Sequence, residues 1–170
     1  MKRLKNFCKF AGLLCLMSTL LTGCDDGPKV VPVDGVLTLD GEPLPFKTVT
    51  FQPTEGTEGQ GASGYSNPKG DYVLKAFITG ATKDYDGCPP GKYKVVIGEP
   101  MIPISEKDFN EDGTVKMVEA DSDIAIGPGM APRQRSEIPG VYRAENTTPL
   151  VVEVPAAGGT INLELTKSGN

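Results

Sequence analysis

The sequence predicts an all-β sandwich: short apolar–polar alternations recur along it, turn-forming residues separate them, and no stretch has the length and period of a core helix. The turn chemistry comes from 21 Gly and 15 Pro among 170 residues. A parallel α/β architecture is disfavoured by the same pattern, because its crossovers need helices between strands.

The first strand is expected over residues 31–39. Val31, Val33, Gly35, Leu37 and Leu39 alternate there with Pro32, Asp34, Val36, Thr38 and Asp40, which puts the larger apolar residues on one face. Asp40-Gly41 is a strong turn signal, and Pro43 and Pro45 keep the next residues out of a central ladder. A second strand follows at 46–51, with Val49 and Phe51 sharing a face. Residues 53–61 carry no apolar side chain after Pro53 and read as an exposed loop before a short strand at 62–66. The Asn67–Gly70 turn leads into 71–77, where Tyr72, Leu74 and Ala76 point inward. A loop ending in Pro89-Pro90-Gly91 precedes a strand at 92–98 that buries Tyr93, Val95 and Ile97. Residues 99–140 break the rhythm and read as an irregular insertion. Beyond it, 149–154 and 160–166 are expected to form a last hairpin around Ala156–Gly159, with Ile161, Leu163 and Leu165 inward. These make about seven strands in one domain over residues 30–167, a length that suits a single core.

The amino terminus carries a different signal. Lys2, Arg3, Lys5 and Lys9 precede the apolar run 10–21, the layout of an export signal, and the run is too short to span a bilayer comfortably. It ends in Leu21-Thr22-Gly23-Cys24, which resembles the lipobox of bacterial lipoproteins. That resemblance implies a signal peptide over 1–23, acylation of Cys24 as the new amino terminus, and a polar tether over 24–29. Removing residues 1–23 takes away four of the 17 Lys and Arg and none of the 22 acids, so the remaining chain has a formal charge of −9. So acidic a chain repels polyanions, and nucleic-acid binding is disfavoured.

Several segments together resemble a wider family. Gly35–Leu44, Val49–Pro53, Asn67–Tyr72, Pro89–Val95 and Ile138–Tyr142 look like the bacterial lipoproteins with a transthyretin-like or carboxypeptidase-regulatory-like domain. The resemblance covers nearly all of the exported chain except 101–137. It implies a Greek-key, prealbumin-like sandwich in the cell envelope and brings no catalytic residues with it. A related enzymatic branch, the transthyretin-related hydroxyisourate hydrolases, relies on histidines, an arginine and a terminal Tyr-Arg-Gly-Ser. This chain has no histidine, and its Tyr142-Arg143-Ala144-Glu145 lacks the Gly-Ser.

The absence of histidine also removes the usual general base, the Ser-His and Cys-His pairs, and the commonest zinc ligand. Cys8 and Cys15 leave with the signal and Cys24 takes lipid, so Cys88 has no partner for a disulfide within the exported domain. It reads as a small residue filling a turn. The sharpest local motif is the EF-hand pattern in 108–119. Asp108, Asn110 and Asp112 stand at loop positions one, three and five, Gly113 at six, Thr114 at seven and Glu119 at twelve. Pro100 and Pro103 oppose an entering helix, and the competing reading is an acidic hairpin turning at Glu111–Gly113. Tyr65, Tyr85 and Tyr142 are the expected exposed aromatics, and Arg133, Arg135 and Arg143 a small basic group.

Three functional readings follow. The first is a non-catalytic, lipid-anchored envelope module, with no cofactor, whose residues 99–140 meet a protein or glycan partner. The second is the same module stabilised by calcium at 108–119. The third is an envelope hydrolase, for which no carboxylate pair is placed together by the sequence.

Overall fold

Strict alternation does place the strands. In β1 (Val33–Leu39), Val33, Leu37 and Leu39 are buried while Asp34 turns to solvent. The protein is described by a computed structural model covering residues 29–101, 104–111, 115–116 and 136–169. Asp40 and Gly41 have φ of 52° and 84°, the left-handed pair of a type I′ turn. They fold the chain straight back as β2 (Glu42–Pro43), opposite Leu39 and Thr38.

β3 (Thr48–Pro53) buries Val49 and Phe51 and pairs antiparallel with β4 (Ala62–Tyr65) on one side and β7 (Gly91–Gly98) on the other. The stretch after Gly70 does something the alternation alone does not show. Its first half, β5 (Asp71–Val73), pairs with β1, and its second half, β6 (Lys75–Ala76), pairs with β4. One run thus passes from one sheet to the other at Leu74, which donates to Val33 O at 3.0 Å and accepts from Gly87 N at 2.6 Å. Its backbone groups stay paired through the switch, as burial demands.

The expected C-terminal hairpin is corrected. β8 (Val151–Val154) runs antiparallel to β7, with Val151 opposite Lys94. β9 (Gly159–Thr160) and β10 (Leu163–Leu165) instead run parallel to β1, with Leu37 opposite Leu163. The turn at Pro155–Gly158 carries the chain across the core rather than back on itself, and Gly159 N is captured by Pro32 O at 2.9 Å. Val154 and Leu163 thereby face one core from opposite sheets.

Among the described residues the result is all-β, two sheets of five strands each and the arrangement of a sandwich. One sheet gathers β2, β5, β9 and β10 around β1; the other has the order β6-β4-β3-β7-β8. Each of the seven expected runs contains strand, and β2 is the addition. Between the sheets Phe51 lies 6.5 Å from the Tyr72 ring and 5.8 Å from the Tyr93 ring, both tilted. Burying a side chain of this size stabilises by about 1.5–3 kcal/mol, so these rings carry much of the core. No helix among the described residues is long and apolar enough to cross a membrane.

Candidate functional site: the neck and hairpin of the insertion

The insertion leaves the sandwich at Glu99, just past β7, and rejoins it at Glu137. Both carboxylates converge on Lys47, whose Nζ lies 3.1 Å from Glu99 Oε2 and 2.9 Å from Glu137 Oε1. Ser136 Oγ closes the ring by donating to Glu99 Oε1 at 2.7 Å. The lysine side chain is only 11% exposed whereas the carboxylates are 40% and 57% exposed, so the cation is the buried partner. A buried ammonium is tolerated only when paired, and here one lysine ties both ends of the insertion.

Lys47 is held in place by its own segment. Phe46 has φ of 57°, a costly conformation for a ring-bearing residue, and buried Ser66 fixes it. Ser66 O accepts from Phe46 N at 2.8 Å, Ser66 Oγ accepts from Lys47 N at 2.9 Å and donates to Leu44 O at 2.8 Å. The strained turn lets the Phe46 ring meet Phe109 of the insertion, 6.1 Å between centroids. Ile138 is also buried in the core, next to the neck.

Within the insertion, Ser105 and Asp108 make a reciprocal cap on a short 3-10 turn, Glu106–Asp108. Asp108 Oδ2 accepts from Ser105 Oγ at 2.7 Å and from Ser105 N at 2.8 Å. The Ser105 hydroxyl above all, then its N–H, holds the Asp108 carboxyl below its ordinary range. Phe109 bridges antiparallel to Val115, and Lys116 N donates to Asp108 O at 2.8 Å, so residues 108–109 lie antiparallel beside 115–116. Of the calcium set, Asp108 and Asn110 are described, while Asp112, Thr114 and Glu119 lie outside the described residues, as does Cys24. Among the described residues no three acidic or thiol groups are gathered to hold a metal, and Asp108 Oδ2 is already committed to Ser105.

The described residues of the insertion stand between two open concavities, and Val73 lines both. The one beside Glu106–Glu111 has a volume of about 530 Å³ and presents Asp34, Asp71, Glu106 and Glu111 against a single cation, Lys69. The one beside Val115 and Lys116 has a volume of about 540 Å³ and is bordered by Tyr65, Phe77, Lys75 and Asp84. Lys75 pairs with Asp84 at 2.7 Å and with Asp86 at 3.8 Å. The hydrogen bond that Lys75 donates to the Asp84 carboxylate chiefly holds its ammonium above its ordinary range.

The aromatic expectation is corrected in part. Tyr65 is exposed, but Tyr142 is 1% exposed and packs in the core, its hydroxyl accepting from Thr166 N at 3.1 Å. Its place in a 3-10 turn, Gly140–Arg143, swings the ring inward, which a linear reading of a loop does not reveal. Phe77, at the end of the expected strand 71–77, is an exposed ring beside Tyr65's strand. Arg133 and Arg135 lie outside the described residues. Lys47 gives no signal in the sequence beyond being a lysine near the start of the expected strand 46–51. Cys88 is fully buried, bridged to Val31 through both backbone groups, and burial pushes its thiol up to about 11. Such a thiol is poorly nucleophilic at neutral pH.

Comparison of the chain with protein-family models, with curated proteins and with solved structures finds no match.

Proposed function

We propose that this protein is a non-catalytic binding module of the bacterial cell envelope, exported, cut before Cys24 and held to a membrane by acyl chains on that cysteine. The charged-then-apolar leader ending in Leu21-Thr22-Gly23-Cys24 supports the anchor. One acyl chain binds membranes reversibly and two or more bind durably, so multiple acylation makes the attachment lasting. The two-sheet architecture is compatible with the Greek-key, prealbumin-like sandwich that the sequence resemblance implies.

The observation that carries the binding reading is the Lys47 neck. A sandwich that ties Glu99 and Glu137 to one buried lysine fixes where the insertion leaves and rejoins it, and recognition sits on such loops. Its partner is an envelope protein or glycan; the acidic balance of the exported chain speaks against nucleic acid.

Two measurements test the reading. Labelled palmitate is expected to enter the wild-type chain and not Cys24→Ala; equal incorporation removes the anchor. Cross-linking in intact envelopes is expected to give adducts that disappear when residues 104–136 are deleted. Adducts that persist unchanged in the deletion overturn the role given to the insertion.

A further inference from the structure

Ser63 of β4 lies opposite Lys75 of β6, so both project from the outer face of their sheet. Tyr65 is two residues along from Ser63 and Phe77 two beyond Lys75. Phe77 N continues the pairing by donating to Gly61 O at 2.9 Å. By strand period the two rings flank Lys75 on this one face, separated along the strands by about 13 Å. They are 36% and 45% exposed, two of the four large apolar side chains left open among the described residues. Val115 and Lys116 of the insertion supply the facing wall.

The charge here is unlike that of the rest of the chain. Its lining sets Lys75 and Lys116 against Asp84, with Asp86 reaching Lys75 from beyond it at 3.8 Å, whereas the neighbouring concavity sets four carboxylates against one lysine. A cationic partner is drawn to that other side, and an anionic one is repelled by an exported chain of formal charge −9. What suits paired charges between two exposed rings is an uncharged ligand with an apolar face and a hydroxylated rim. The rings take the C–H face of a pyranose, and the ion pair offers both donors and acceptors to its hydroxyls.

We propose that the concavity between Tyr65, Phe77 and the Val115–Lys116 wall binds a short neutral glycan, with the two rings as stacking platforms and Lys75 and Asp84 as its polar contacts. This deepens the envelope-module reading and rests on it only for where the glycan is met. The ring separation fits an oligosaccharide rather than a single sugar.

The test is titration calorimetry of the full lipid-bearing chain in a zwitterionic detergent, since sugar-headed detergents would compete. The probes are neutral tetrasaccharides of glucose, mannose, galactose and N-acetylglucosamine, with tetragalacturonate as the charged comparison. At least one neutral probe is expected to bind, and Tyr65→Ala and Phe77→Ala are each expected to weaken it about tenfold. Both rings are exposed, so melting temperatures are expected to stay unchanged. No heat from any neutral probe, affinities unaltered in both variants, or a preference for tetragalacturonate overturns the proposal. Cys24→Ala keeps this binding while losing the membrane, so failure of the anchor and failure of the glycan site give different results.

Discussion

The Tyr72 hydroxyl donates to the backbone carbonyl of Ile161, across the gap between β9 and β10, and Gly35 lies beneath that bond. A Cβ at Gly35 would stand 1.9 Å from the same carbonyl oxygen. The parallel ladder between β1 and the C-terminal strands lapses after Ile161 N, which donates to Asp34 O at 2.7 Å, and side chains mend it: Asn162 Oδ1 accepts from Val36 N at 3.1 Å. Tyr72→Phe is therefore expected to cost about 1–3 kcal/mol, the penalty for a carbonyl left unpaired. Gly35→Ala is expected to cost more, because relieving the clash breaks the same bond and shifts the strand. Urea unfolding of both variants checks the order; an equal or smaller loss for Gly35→Ala contradicts it.

The Lys47 neck gives an asymmetric expectation. Lys47→Met leaves Glu99 and Glu137 to the solvent that already half-reaches them, at about 1–2 kcal/mol. The double change Glu99→Gln with Glu137→Gln strands a mostly buried ammonium and is expected to cost more. In both cases amide hydrogen exchange at 104–111 is expected to rise before that of β3 or β7. Uniform exchange across the domain would mean that the neck does not act locally.

Which parts of this arrangement were legible in advance follows from the range of the signal. Period-two burial is local, so β1, β3 and β7 stand where Val33, Phe51 and Val95 put them. Sheet membership is not local. Nothing in Val151–Leu165 tells a hairpin from two strands in opposite sheets, because both bury Val154 and Leu163 equally well. Gly35 stands in the alternation of the first strand without a reason of its own, and only the carbonyl of Ile161, 126 residues away from it, supplies one. Distance along the chain hides the neck as well, since Lys47 and Glu137 become partners only after the sandwich closes. Tyr65 was legible as an exposed ring; its pairing with Phe77 needed the register of β4 against β6.

Two exposed carboxylates are expected to contribute to the acid limb of stability. The backbone N–H of Lys167 first, then its ammonium, hold Asp40 below its ordinary 3.8, with bonds of 3.0 and 3.2 Å, and Ser105 does the same for Asp108. Depressed folded-state values mean that the contribution is complete above that ordinary value and drains as pH falls through the lower one. Melting temperature is expected to decline below about pH 4, and less steeply in Asp40→Asn and Asp108→Asn. An acid limb identical in wild type and both variants would place the titrating groups elsewhere.

The alkaline limb belongs first to Cys88. Its thiol is fully buried, and burial raises it from 9.0 to about 11. The folded state keeps its proton where the unfolded chain loses it, so stability is complete below 9 and falls as pH rises from 9 toward 11. The loss attributable to this thiol is on the order of 2 kcal/mol. Buried Tyr72 and Tyr93, whose phenols are pushed up mainly by the same desolvation, add a second decline starting from their ordinary 10.0. In Cys88→Ala the first part is expected to vanish while the tyrosine part stays, and urea midpoints measured from pH 8 to 11 separate the two. Under native conditions at pH 8 a disulfide reagent is expected to leave Cys88 untouched and to react at once in urea. Rapid native labelling would mean that the Val31–Cys88 bridge opens, and with it the seam where the chain first enters the sandwich.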